Sequence, residues 1–223
     1  MTANGAFTRP DGGNCPAYFA GPGEGAPALV VLQEWWGLNE QIQGVADRLA
    51  GAGYRVLAPD LYRGDVALEV AEAQHRMEML DFVDAADQDI RGAVAMLRQS
   101  SPAVGVMGFC MGGALSMLAA ARVPEVDAVS AWYGLPPANA LDVERIAAAV
   151  QGHFGREDTI VPMERVDALE AALQARGHTC EIHRYQAGHA FGNENGANYE
   201  PEAAALAWQR TLDFFLRQLA GGA

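Results

Sequence analysis

The stretch 103–121 limits what this chain can fold into more than any other. The apolar run Ala103-Val104-Gly105-Val106-Met107 leads into Gly108-Phe109-Cys110-Met111-Gly112-Gly113, and a helix-forming run, 114–121, follows. That order predicts a buried strand, a tight glycine-flanked turn and a helix, with a thiol at the turn. A residue on so sharp a strand-to-helix turn is strained, so the positions two before and two after it must be small; Gly108 and Gly112 meet that demand. The helix beginning after Cys110 directs its amide groups and positive dipole end at the turn, favouring a thiolate and later an oxyanion. The alternative reading is a buried, inert cysteine in a glycine-rich turn.

Around this element the chain alternates short apolar runs with helical patterns. Strands are predicted at Ala28–Leu32, 55–58, 128–133, 152–155 and 181–185. Helices are predicted at 40–52, ending before Gly53, and at 85–98, 141–149, Met163–Ala175 and Pro201–Leu219, the last one amphipathic. Continuous apolar strands alternating with helices predict an α/β fold, a mainly parallel sheet covered by helices on both faces. Asp11-Gly12-Gly13, between two extended segments, predicts an antiparallel hairpin at the sheet edge. With 223 residues, no long polar linker and no internal repeat, one domain spanning 1–223 is expected.

Composition removes several chemistries. Lysine is absent, which excludes Schiff-base catalysis and a P-loop lysine. Only Ser100, Ser101, Ser116 and Ser130 supply serine hydroxyls, and none lies between suitably spaced glycines, so a nucleophilic hydrolase built on this chain must use Cys110. Cys15, Cys110 and Cys180 are an odd set without metal-ligand spacing; with no signal peptide, a reducing cytoplasm is the expected location and no metal is expected. No apolar run approaches membrane-spanning length, and a net charge of −13 opposes binding to nucleic acid or anionic membranes.

Ligands of parallel sheets gather at the loops after the carboxyl ends of the strands. Four chemically capable residues fall just past predicted strands: Glu34 in Gln33-Glu34-Trp35-Trp36-Gly37, Cys110 in the elbow, Asp158 in Arg156-Glu157-Asp158-Thr159, and His189 in Gly188-His189-Ala190-Phe191. Glu157 is the rival acid to Asp158, and Asp158 could also serve as a helix N-cap. A solvated loop carboxylate is the plain reading of Glu34, and a surface loop histidine that of His189. His75, His153, His178 and His183 lack a comparable setting. Trp36, Tyr133 and Phe191, also at strand exits, are candidates for an apolar substrate pocket or for covering the core.

The order nucleophile, acid, histidine is that of α/β-hydrolases. The sequence closely resembles the dienelactone hydrolase family over nearly its whole length. The resemblance rests on Gln33-Glu34, Pro59-Asp60-Leu61-Tyr62, the Gly108–Gly113 elbow, Tyr133-Gly134, Asp158 with Val161-Pro162, and Gly188-His189-Ala190-Phe191. It implies an α/β-hydrolase fold and a triad of Cys110, Asp158 and His189. In that triad His189 relays the proton and Asp158 orients the imidazole. It further implies that Glu34 holds the resting thiol protonated or assists its ionisation, and that the backbone amides of Trp35 and Met111 form an oxyanion hole. No cofactor is implied.

One departure affects the substrate. Members of the family acting on dienelactone carry an arginine four positions after the catalytic histidine, and this sequence has Asn193 there; Arg63 and Arg76 are the candidates for a second substrate-binding arginine. The expected activity is hydrolysis of a small lactone or ester, a dienelactone by resemblance, through a Cys110 acyl-enzyme. A general carboxylesterase or thioesterase, or a non-catalytic thiol-sensing or binding protein, are the alternatives. The oligomeric expectation is a monomer or small homo-oligomer.

Overall fold

The computed structural model describes residues 3–219. In chain order the elements are β1 (Gly5–Thr8), β2 (Asn14–Ala20), β3 (Ala28–Leu32), α1 (Glu40–Gly51), β4 (Arg55–Pro59), α2 (Val70–Met79), α3 (Phe82–Asp84), α4 (Arg91–Arg98) and β5 (Val104–Phe109). They continue with α5 (Met111–Arg122), β6 (Ala128–Trp132), β7 (Ala149–Gly155), α6 (Met163–Ala175), β8 (Cys180–Tyr185) and α7 (Pro201–Leu219). The strands form one sheet in the order β1-β2-β4-β3-β5-β6-β7-β8. The β1–β2 hairpin pairs antiparallel with itself and with β4, and all other pairings are parallel. This is the α/β-hydrolase arrangement, with the hairpin at the edge as its glycine turn requires.

Every residue of β3 and β5 is buried, because both strands lie mid-sheet under helices on two faces. Alternation along β3 divides the core. Leu29 and Val31 pack with Leu49, Phe214 and Phe215 of α1 and α7, while Val30 and Leu32 pack on the other face with Leu97, Leu115 and Leu118 of α4 and α5. Each fully buried leucine or phenylalanine contributes roughly 1.5–3 kcal/mol relative to an exposed one. Helix α1 starts where the Asn39 side chain accepts a hydrogen bond from the Ile42 amide at 3.1 Å.

Three local expectations need correction. The segment 141–149 is not a helix: the Asp142 side chain accepts from the Glu144 amide at 3.1 Å and caps only a short 3-10 turn, Val143–Arg145. Ala149 already pairs with Ala128, so β7 begins three residues earlier than expected from sequence. The helical stretch at 85–98 starts earlier, at Phe82, and passes through a π-helical turn at Ala85–Ile90 before α4. Helix α2 had no counterpart among the expected elements. Among the described residues, no helix is long and apolar enough to cross a membrane.

Candidate active site

The elbow is built as its glycines require. Cys110 adopts φ 52° and ψ −113°, a left-handed conformation that an L-residue holds only when its surroundings impose it. A β-carbon on Gly108 would collide with the Gly112 carbonyl group, and one on Gly112 would lie 2.5 Å from the Leu32 carbonyl oxygen. The turn thus brings α5 hard against β3 and β5, and only glycine permits that approach. The Cys110 amide donates to the Trp132 carbonyl at 2.9 Å, tying the turn to the end of β6.

From this position the Cys110 thiol meets a histidine from the last strand. His189, four residues beyond β8, places Nε2 3.2 Å from Cys110 Sγ and Nδ1 2.8 Å from Asp158 Oδ2. The other Asp158 oxygen accepts from the Ile160 and Val161 amides, at 2.7 and 2.9 Å, so the carboxylate is anchored by its own loop. It caps that turn rather than α6, which begins only at Met163 after Pro162. Of the two neighbouring acids, Asp158 is buried against His189, while Glu157 is exposed and accepts a hydrogen bond from Gln186 at 2.5 Å. Burial favours a neutral His189, but the hydrogen bonds to Asp158 and Cys110 and their charges outweigh it and raise its pKa to about 10.

Glu34 is almost wholly buried, and burial raises its pKa despite two hydrogen-bond donors. Those donors are Tyr133, whose hydroxyl lies 3.1 Å from Oε1, and Asn193, whose Nδ2 lies 2.7 Å from Oε2. The resemblance implies a Glu34 that holds the thiol protonated or assists its ionisation; here its oxygens engage Tyr133 and Asn193, while Cys110 engages His189. Trp35 is the second residue of a turn closed by the Gly37 amide on the Glu34 carbonyl at 3.2 Å. Met111 opens α5, so its amide is among the first-turn donors that have no acceptor within the helix.

Glu34, Trp35, Trp36, Cys110, His189 and Asn193 line one cavity of about 780 Å³. Tyr133 and Phe191 do not. Both are fully buried: Phe191 stacks on Trp132 at 5.9 Å between ring centroids, and Tyr133 lies beneath the cavity floor with its hydroxyl on Glu34. These two aromatics belong to the buried core. Of the two arginines, Arg63 is turned to Asp89 (2.7 Å), the Asp60 carbonyl (2.8 Å) and Cys15 Sγ (3.2 Å), and Arg76 pairs with Asp65. The buried His153 bonds Tyr185, Gln151 and Thr211, and burial depresses its pKa well below the ordinary value.

The wall also contains residues that sequence reasoning missed: Met77 from α2, Ile160, Asn198, Tyr199 and Glu200. Asn198 Nδ2 donates to the His189 carbonyl at 3.1 Å. No motif marks these residues. Ile160 comes from the loop between β7 and α6, and the others reach the cavity because α2 and the segment before α7 fold over the carboxyl edge of the sheet.

The match to known proteins extends over the same frame. Residues 15–219 match the Dienelactone hydrolase family. A Methylorubrum extorquens protein named "Putative carboxymethylenebutenolidase" is 38% identical over 223 residues, covering 91% of this chain and 77% of that one. "Protein usf" of Aquifex pyrophilus is 33% identical, covering 91% of this chain and 93% of that one. A solved Klebsiella pneumoniae structure titled "Putative Dienelactone Hydrolase" superposes with a TM-score of 0.83 at 29% identity, over 97% of this chain and 98% of the other. This chain belongs to the dienelactone hydrolase family and is a carboxylic-ester hydrolase of that kind.

Proposed function

We propose that the chain opens a small lactone or ester through a thioester formed on Cys110. One observation carries the reading: a sulfur on a strained elbow lies 3.2 Å from an imidazole that a buried carboxylate holds at 2.8 Å. A cysteine without catalytic work needs neither partner. A dienelactone-sized ring fits within the cavity volume of about 780 Å³.

The Cys110 sulfur, its proton passed to His189 Nε2, attacks the carbonyl carbon and forms a C–S bond. Negative charge moves to the carbonyl oxygen, where the amides of Trp35 and Met111 receive it. Collapse of the tetrahedral adduct breaks the C–O bond, and His189 returns its proton to the departing alkoxide. In a lactone that alkoxide stays attached to the acyl chain. Water then attacks the thioester with its proton going to His189, the C–S bond breaks, and the carboxylic acid leaves as the thiol is restored. Asp158 holds Nδ1–H and steadies the imidazolium without taking the proton. Glu34 acts as a positioning residue, bridging the loop after β3 to Tyr133 and Asn193.

Incubation with a slowly deacylating aryl ester, followed by mass spectrometry of the digested protein, tests this. The acyl group is expected on Cys110, and Cys110→Ala is expected to lose at least about 10³-fold in turnover while remaining folded. Acylation of Cys180 in its place would overturn the assignment.

A further inference from the structure

Carboxylates outnumber cationic groups around the cavity. Glu34, Glu157 and Glu200 line it, and no arginine lines it among the described residues. The two arginines that the sequence offers for a substrate carboxylate are committed elsewhere. Arg63 lies against Asp89, Asp60 and Cys15, and Arg76 pairs with Asp65 and approaches Glu72 at 3.7 Å. Asn193, where an arginine would reach the substrate, donates to Glu34 and accepts from the Asn195 amide at 3.0 Å.

A carboxylate brought into such a site loses water without gaining a cationic partner, and it meets like charges. A cationic group meets Glu157 and Glu200 together with the aromatic side chains Trp35, Trp36 and Tyr199, which attract cations through their ring faces. We propose that this site selects esters and lactones by charge, taking a cationic substrate over a neutral one and a neutral one over a carboxylated one of the same size. The inference rests on the reading of Cys110 as the nucleophile. It separates this chain from hydrolysis of a carboxylated dienelactone, for which the cavity offers no arginine among the described residues.

The test uses three 4-nitrophenyl esters of equal length that end in a trimethylammonium, a tert-butyl or a carboxylate group. With the intact protein, kcat/KM is expected to fall in that order. A cation-to-anion ratio of about tenfold at low salt should shrink to about two- to threefold at 0.5 M salt, because Glu157 and Glu200 are exposed and screened. Glu157→Gln and Glu200→Gln are each expected to lower that ratio. Faster hydrolysis of the carboxylate ester than of the tert-butyl ester, with all activity lost in Cys110→Ala, would overturn the charge selection and leave the nucleophile standing. Activity that survives in Cys110→Ala would overturn both.

Discussion

Gly134 and Cys110 touch through their backbones: a β-carbon on Gly134 would overlap the Cys110 carbonyl oxygen and crowd the Ala114 amide at 2.8 Å. The nucleophile is thus held from both sides, by its own turn and by the loop leaving β6. Gly134→Ala is expected to destabilise the fold by several kcal/mol and to misplace the thiol, since backbone cannot yield as a flexible side chain does. Gly188, next to His189, has open space around it and an ordinary φ. Gly188→Ala should keep within about 1 kcal/mol of the parent stability in urea titration. A well-folded, active Gly134→Ala protein would contradict the packing described.

Asp158 Oδ2 lies 2.8 Å from His189 Nδ1, a contact suited to holding the imidazole in one tautomer. Asp158→Asn preserves volume, but its amide can present N–H to Nδ1 and favour the wrong tautomer, so kcat is expected to fall about 10²-fold or more with KM little changed. Steady-state kinetics on a neutral aryl ester checks this. An unimpaired variant would mean that the 2.8 Å contact does not support the reaction.

Much of this arrangement was legible because its causes are local. The elbow announces itself through Gly108 and Gly112, and the strands β3 and β5 through unbroken apolar runs, since a strand buried on both faces leaves no polar alternation. Asp158 and His189 were legible through their placement after strands. The partners of Glu34 were not. Asn193 lies 159 positions away and Tyr133 lies 99, and only the closed sheet brings them together. The misread segment 141–149 fails for a related reason: its alanine-rich pattern suits a helix, but Ala149 is claimed by pairing with Ala128, a tertiary contact that overrides propensity. The wall residues Met77, Tyr199 and Glu200 come from segments whose position depends on how they drape over the sheet edge.

Glu34 gives a pH prediction. Its folded pKa lies above the ordinary carboxylate value because burial penalises the charged form more than Tyr133 and Asn193 relieve it. Protonation therefore favours the folded state. This contribution is lost as pH rises from about 4.5, where the unfolded chain gives up the proton, toward the higher folded value. Glu34→Gln removes the ionisation and keeps the shape, so its melting temperature should exceed the parent's at pH 8, with a smaller gap at pH 5. A gap that widens toward acid pH would show that the carboxylate is stabilised by the fold.

Among the described residues, the four non-glycine residues with positive φ, Arg63, Cys110, Tyr133 and Ala190, follow the carboxyl ends of strands. The opposite end of the sheet, among the described residues, has positive φ only at glycines; Gly53 and Gly177 are two of them, both in open space. Backbone strain at residues that bear a side chain and chemical work therefore share one pole of the molecule, while Gly53 and Gly177 at the other stand in open space. A peptide tag or a short binding loop grafted at Gly177, between α6 and β8, would enter at that open position, far along the strands from the thiol. The same scaffold can thus be given a new attachment at one end while its reactive end is left as it is.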